Sequence, residues 1–488
     1  MKTGFKSQCL PSYRILSDEQ IQELHRASLK ILETVGVRVS DGEAVEMLRA
    51  AGCRVKDEDI VSFPKWLVEE CIRSTPSAIT IFNRKGEEAM RLEGRNIYFG
   101  MGTDLIHTYD LRTGELRPSV LQDVVNAAIV ADACPEIDFI ASFALPNDVP
   151  TNTMYIECVR AMLQSSTKPI FTTAGGAEDL AVILAMAETV VGGEVALREK
   201  PMLIHYSEPT PPLTHSYGAI QKLFLCADKG VPITYVPGGT LGGTMPVTLA
   251  GGVAQANAEM LSGLVLHQLR RKGAPIIAGW AVVGMDMRTA VFCYASPEFR
   301  LTNSVFSDLY HYYGIPIWST VGSDANALDQ QAGIEHAMTT LLSALDGANL
   351  IHDVGYLGQG LIGNPAMLVM GNEIIGYVKR FMRGFEMSDE TLALDVIQKV
   401  GPGGDYLSED HTYKFWRQEL WHPKLMNRDT PDVWKQKGSI TYGEVVTRKA
   451  LDILETHQPE PLAGELQNEL ARLVQRAEMD LASEYFRA

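Results

Sequence analysis

The residues of this sequence that could do chemistry are few, mixed in kind, and gathered at the ends of short apolar runs. One run closes on Tyr206-Ser207-Glu208. Another closes on Trp318-Ser319, followed by Gly322-Ser323-Asp324, and a third carries His352-Asp353 ahead of Gly355-Tyr356. Glu208, Asp324 and Gln331 are candidates for positioning a reacting group, and none of them belongs to an obvious acid–base pair. No GxSxG and no Ser-His-Asp context occurs, and lysine is absent from these run ends. Both facts count against nucleophilic and Schiff-base chemistry. His352 is a candidate binder of a substrate carboxylate, as a hydrogen-bond donor or as a cation, set against the plainer reading of a satisfied core histidine.

Aromatics crowd the same positions: Tyr98, Phe99, Tyr235, Trp280, Trp318 and Tyr356. Aromatic faces attract quaternary ammonium groups, so this set is a candidate substrate-binding cation cage. For any single member, ordinary packing is the alternative. Glycine-rich stretches alternate with the aromatics: GMG, GG at 175–176, GGTLGG, VGSD and GYLGQG. None is a P-loop, and no GxGxxG opens a helix after a strand, so a nucleotide site is unsupported. Loops without side chains leave a wide rim that a large cofactor or a partner protein can approach closely.

The elements that must position these residues follow from periodicity. Eight β-rich runs recur: NIYFG (96–100), IDFIASF (137–143), PIFTTA (169–174), PMLIHYSE (201–208), PITYVP (232–237), PIIAGW (275–280), IPIWST (315–320) and NLIHDV (349–354). Helical patterns alternate with them near 119–133, 152–165, 177–191, 214–228, 250–271, 297–313, 329–346 and 366–383. Ser119, Thr151, Thr214 and Ser296-Pro297 stand as helix starts, and HTYDLRTGELRPS reads as a hairpin. Strand starts lie about 31 to 43 residues apart, and the runs are continuously apolar, as in a parallel sheet covered by helices. The expected fold is therefore α/β, a (β/α)8 TIM barrel over 96–384, with two packed Rossmann-like halves as the alternative. In that barrel the run ends form one mouth. Residues 1–95 read as a helical N-terminal segment packed on the barrel, and 385–488 as a helical C-terminal extension carrying an oligomer contact.

Composition narrows the function classes. A net charge of -17 over 488 residues leaves nothing to neutralise phosphates, so a nucleic-acid partner is not expected. The seven cysteines are scattered and odd in number, without CxxC or Cys/His clusters, so neither disulfides nor zinc are indicated. No apolar run has signal-peptide or membrane-spanning length, which makes a cytoplasmic location the expectation and membrane association not.

Longer stretches carry a resemblance. SPEFRLTNSVFSDLYHYYGIPIW (296–318), GSDANALDQQAGIEHAMTTLLSALDGANLIHDVGYL (322–357), MPVTLAGGVAQANAEMLSGLVLHQL (245–269) and DYLSEDHTYKFWRQELWHPKLMNR (405–428) resemble the trimethylamine methyltransferase family. The opening LSDEQIQELHRASLKILETVGVRV does so as well. The family's archetype uses pyrrolysine, whereas IPIWSTVGSDAN is written here in standard residues. The resemblance therefore implies the non-pyrrolysine branch, which demethylates quaternary amines such as glycine betaine, proline betaine, carnitine and γ-butyrobetaine. It implies transfer of a methyl group to Co(I) of a corrinoid (cobalamin) carried by a separate protein, with release of a tertiary amine such as dimethylglycine, and a homo-oligomer. Demethylating a quaternary ammonium yields a neutral amine that needs no proton, which suits an acid-base-poor site. A barrel lyase or decarboxylase working without corrinoid, and a non-catalytic betaine-binding or corrinoid-scaffold protein, are the competing readings.

Overall fold

Proline-led, β-branched runs become short parallel strands, because they are covered on both faces and need no polar side. The computed structural model describes residues 8–485; the start of the chain, residues 1–7, and residues 486–488 at the end of the last expected helix lie outside the described residues. It is a mixed α/β fold. Strands Ile170–Thr172, Leu203–Ser207, Ile233–Tyr235 and Ile276–Ala278 pair in parallel in that order. Strands Trp318–Thr320, Leu350–Val354 and Tyr98–Met101 form a second parallel set. A parallel bridge joins Ala278 to Ile317, and bridges through Phe139 and Ile140 lead from Gly100 to Ile170.

The run 137–143 makes only those bridges. The Asp138 carboxylate accepts the Phe99 N–H at 2.8 Å, a donor that a regular ladder would have used, and Phe143 sits at a φ of +59°. The hairpin after the first strand is present, with His107–Tyr109 antiparallel to Leu116–Pro118.

Helices fill the intervals: Leu121–Ala133, Met154–Ser165, Ala177–Val191, Tyr217–Lys229, Leu249–Arg270, Pro297–Tyr313, Gln330–Asp346 and Pro365–Met382. Ser296 caps its helix as read from the sequence, but three other caps move by one or two residues. Ser216 caps in place of Thr214, Thr153 stands where Thr151 was expected, and the cap after Ser119 is Val120, whose N–H is taken by Asp123. Ser119 itself is buried, its hydroxyl donating to the Leu105 carbonyl at 2.8 Å.

The N-terminal segment holds more than helices. Asp18–Thr34, capped by Ser17, Gly42–Ala50, capped by Asp41, and Lys65–Ser74 are helical. Between and after them run strands Val37–Val39, Arg54–Lys56 and Ile60–Ser62 and the hairpin Ile79–Phe82 with Glu88–Leu92. Such short stretches carry too few residues to show a period against the helical background. Val37–Val39 pairs with Thr214–His215, and the Ser28 hydroxyl donates to the Ala254 carbonyl at 3.1 Å. The helix Leu249–Arg270 is thereby buried almost all round, which explains its lack of a polar face. At the other end of the chain, Tyr442–Thr456 buries Val446, Ala450 and Ile453, and Gly464–Tyr485 follows the Pro459/Pro461 break. Among the described residues no helix is long and apolar enough to cross a membrane.

Candidate functional site

Alternation along the parallel strands turns one set of aromatics inward. Phe171 and Tyr206 have ring centroids 5.8 Å apart, and Tyr206 lies 6.2 Å from Trp318. With a period of two, the neighbours His205 and Ser207 face the covering helices instead. The His352 imidazole stands in the middle of this group. Its centroid is 4.3 Å from Phe171, 6.1 Å from Trp318, 6.2 Å from Phe139 and 6.4 Å from Tyr356. Two glycines make room for the rings: a Cβ at Gly100 would lie 2.2 Å from Phe139, and one at Gly102 would lie 1.9 Å from Tyr356. The GMG stretch thus lets side chains approach the backbone closely.

His352 faces a carboxylate on one side and no polar group on the other. Its Nδ1 lies 2.7 Å from Asp353 Oδ1, and the second Asp353 oxygen accepts the Thr320 hydroxyl. Nε2 is buried with no hydrogen-bond partner among the described residues. Asp353 holds a φ of +74°, a left-handed conformation that costs a non-glycine residue about 1–2 kcal/mol. Strain of this kind persists where surrounding packing over-determines it.

Three carboxylates border the rings. Asp104, also left-handed at a φ of +62°, accepts the Ser142 hydroxyl at 3.1 Å and the Thr173 hydroxyl at 3.2 Å. Burial holds the Asp104 carboxyl above the usual carboxylate range, opposed by its hydroxyl donors and by His352. Glu208, exposed at the rim, accepts the Tyr206 phenol at 2.9 Å. The protein crowded around its carboxyl raises it too, opposed by the Tyr206 hydroxyl and the Lys222 ammonium. Asp353 is the third. Lys222 donates to the Ala174 carbonyl at 3.2 Å, and burial lowers its pKa against the pull of Glu208. The arrangement is a set of aromatic faces bordered by negative charge, with one unpartnered imidazole nitrogen. No group of three or more metal-ligating side chains occurs among the described residues.

The residues expected at one mouth divide. Trp318, His352 and Tyr356 come together, and Glu208 joins them through Tyr206. The Tyr356 hydroxyl also donates to the Thr103 carbonyl at 2.6 Å. Tyr98 opens its strand rather than closing it, and its hydroxyl accepts the Arg91 N–H at 3.1 Å, at the opposite end. Phe99 faces outward, with the Lys379 ammonium 5.9 Å from its ring. Tyr235 turns to the helices, its hydroxyl 2.7 Å from His215 Nδ1. Trp280 donates to the Thr302 carbonyl at 3.2 Å and packs on Phe306. Asp324 accepts the N–H groups of Tyr294 and Ala295 and so holds a loop. Gln331 is exposed and bonds Glu335.

Phe139, Phe171 and Asp104 belong to the cluster without having been singled out, and Tyr206, named at the end of its run, was not counted among the cage aromatics. All but Asp104 lie inside the apolar runs, and an inward register was the signal that could have found them. Lys222 reaches the strand ends from the following helix, which no run-end search detects.

In open and closed parallel α/β folds alike, small molecules are handled at the carboxyl ends of the strands, and the class defined here is a small-molecule enzyme. A family profile described as trimethylamine methyltransferase (MTTB) matches residues 2–482. Trimethylamine methyltransferase MttB of Desulfitobacterium hafniense strain DSM 10664 / DCB-2 is 33% identical, covering 95% of this chain and 93% of that protein. A glycine betaine methyltransferase of D. hafniense strain Y51 is 31% identical over 88% and 90%. MttB of Methanosarcina barkeri strain Fusaro is 30% identical over 97% of each. The crystal structure of the M. barkeri monomethylamine methyltransferase MtmB shares the fold, with a TM-score of 0.54 at 11% identity over 92% of this chain and 89% of that one. This chain belongs to the trimethylamine methyltransferase family and is a methyltransferase.

Proposed function

We propose that the parallel pairings close a (β/α)8 barrel whose mouth demethylates a quaternary amine of the glycine betaine type, passing the methyl group to Co(I) of a cognate corrinoid protein. The observation that carries this reading is the His352 imidazole, with a free Nε2, boxed by Phe139, Phe171, Trp318 and Tyr356 beside Asp104 and Glu208. Aromatic faces and carboxylates suit a permanent cation. The His352 Nε2, backed by Asp353, suits the carboxylate at the other end of a betaine, a charge-assisted bond stronger than a neutral one. A methylated amine is also what two kinds of relative are named for, trimethylamine and glycine betaine.

The corrinoid of the partner supplies the methyl acceptor. This chain's residues bind the donor, orient its methyl group toward the opening and exclude water. The positive charge disappears during transfer, so too tight a cage would stabilise the ground state and slow the reaction.

The test incubates the protein with free cob(I)alamin and a panel of amines: glycine betaine, proline betaine, carnitine, γ-butyrobetaine and trimethylamine. Loss of the cob(I)alamin absorption with a betaine, without ATP, is the expected result. Turnover of trimethylamine alone would redirect the substrate reading, and silence with every amine would overturn it.

A further inference from the structure

The polar edges of the rings around His352 are not all satisfied, and the exceptions are neighbours. The Tyr206 hydroxyl donates to Glu208 at 2.9 Å and the Tyr356 hydroxyl to the Thr103 carbonyl at 2.6 Å, while Phe139 and Phe171 have no polar edge. The indole N–H of Trp318 and the Nε2 of His352 remain, both buried with no hydrogen-bond partner among the described residues. Trp280 and Trp434, by contrast, each place the N–H on a carbonyl, at 3.2 and 3.0 Å. A buried donor left unmade loses its hydration without return, so such a group in a folded protein calls for a specific occupant. His205 and His336 carry orphaned nitrogens too, but these lie beneath the covering helices; a Cβ at Gly371 would stand 2.9 Å from His336 Nε2.

Trp318 and His352 stand on paired parallel strands, two positions apart in register, since Trp318 opposes Leu350 and Thr320 opposes His352. Their ring centroids are 6.1 Å apart, and each side chain is buried away from bulk water. The Cε3 edge of the indole lies toward the strand on its other side: a Cβ at Gly279, just beyond Ile276–Ala278, would stand 2.9 Å from that atom. Cε3 and Nε1 occupy opposite edges of an indole, so the N–H turns toward Leu350–Val354 and His352. Asp353 lies on the Nδ1 side of the imidazole, away from Nε2. The other carboxylates border the box elsewhere, Asp104 through Ser142 and Thr173 and Glu208 through Tyr206. Donors and acceptors thus occupy different sides of one box.

We propose that Trp318 Nε1 and His352 Nε2 form a two-donor clamp for the substrate's carboxylate, so that Trp318 serves by its N–H edge rather than as a face of the cation cage. A carboxylate has two oxygens and accepts both bonds at once. Bonds to an ionised acceptor are stronger than neutral ones. The indole nitrogen is a donor only, whereas the imidazole donates through Nε2 in one tautomer or as the cation. With the carboxylate held there, the quaternary nitrogen falls on the side bordered by Asp104 and Glu208. A cation without a carboxylate leaves both donors unpaired, and a site built to bond a group rejects the analogue that lacks it. The clamp therefore selects carboxylated quaternary amines over plain ammonium cations. It deepens the betaine reading of the mouth and rests on it.

Titration calorimetry on the full chain, with glycine betaine and with tetramethylammonium, tests the clamp without any methyl transfer. Trp318→Phe keeps an aromatic face and deletes the N–H. It is expected to weaken glycine betaine binding by roughly 10-fold, as loss of one bond to a charged group does, and to leave tetramethylammonium within about twofold. Combined with His352→Ala, the two losses should come to less than their product, because one carboxylate accepts both bonds. Equal weakening of both ligands would make Trp318 a cage face and overturn the clamp. So would an unchanged betaine affinity, which leaves the gap to water, or a wild-type chain that binds no glycine betaine. Should Trp318→Phe fold poorly, the indole N–H resonances of the six tryptophans in the wild-type chain give a second reading. One moving downfield with glycine betaine and not with tetramethylammonium supports the clamp, and none moving overturns it. Silence of cob(I)alamin alongside betaine binding that Trp318→Phe weakens would strike the proposed reaction and keep the clamp, so the two failures are told apart.

Discussion

Around His352, five rings and three carboxylates are fixed by strands that helices cover, whereas residues 385–440 keep their helices with two buried side chains. The strand-end cluster owes its order to this chain alone: Phe171 is fully buried, and Asp353 is held at a left-handed φ by its neighbours. The segment has no such internal support. One region can therefore be preorganised by its own packing, whereas the other is held mainly by exposed ion pairs such as Lys414–Glu390 and Lys399–Glu409. Catalytic geometry needs the first arrangement, because a site held so loosely would have to meet the cost of ordering before binding substrate.

The largest effect that separates the two regions is on stability. Phe171→Ala removes a ring that touches His352, Phe139 and Tyr206, and is expected to cost about 3–5 kcal/mol in urea unfolding. A loss under 1 kcal/mol would mean the box is loosely packed. Next in size, His352→Ala is expected to raise the KM for a betaine roughly 30-fold, the equivalent of about 2 kcal/mol for a charge-assisted hydrogen bond. Steady-state kinetics with an unchanged KM would remove His352 from the binding site.

Thr320→Val deletes the hydroxyl that the Asp353 carboxylate accepts and leaves a buried oxygen unsatisfied. About 1–2 kcal/mol of stability should be lost, with a few-fold rise in KM as the imidazole slackens. An unchanged KM would show that Asp353 holds His352 unaided.

A smaller, pH-dependent difference comes from Glu259 in the helix Leu249–Arg270. Burial pushes this carboxyl up to about 7 from its ordinary value of 4.5, against bonds from Leu213 N–H and Gln255. Between those pH values the folded chain holds a proton that the unfolded chain has released, so stability is highest below 4.5 and falls as pH rises to 7. Thermal melts should drop by a few degrees across that window, and Glu259→Gln should flatten the dependence. The smallest effect is expected at the other pole. Leu407→Ser should change single-chain stability by less than about 0.5 kcal/mol, since Leu407 is 89% exposed.

Much of the scaffold is legible in the sequence because its signals are local. Prolines before apolar runs, capping side chains such as Ser17, Asp41 and Ser296, and helical periodicity place the elements within a few residues. The run 137–143 misleads because a single side chain, Asp138, takes the backbone donor that a strand would have used. The short N-terminal strands escape because three residues do not establish a period.

The site was legible as residue types but not as faces. Tyr235, Trp280, Phe99 and Tyr98 stand in or beside strands as read, yet the first three turn to the helices and the last lies at the wrong end. In a strand the side-chain period is two, so a one-residue error of register exchanges the inside for the outside. The continuously apolar runs give no alternation from which to fix it.

The sequence by itself determined the order of strands and helices, the scarcity of acid–base pairs and the family, because propensity, capping and composition act over a few residues at a time. Only the tertiary structure decided that Phe139, Phe171, Tyr206 and Trp318 surround one imidazole, that Asp104 and Glu208 border them, and that 385–440 is left bare. Those facts depend on strand register and on surfaces brought together across the chain, and neither is written in any local run of residues.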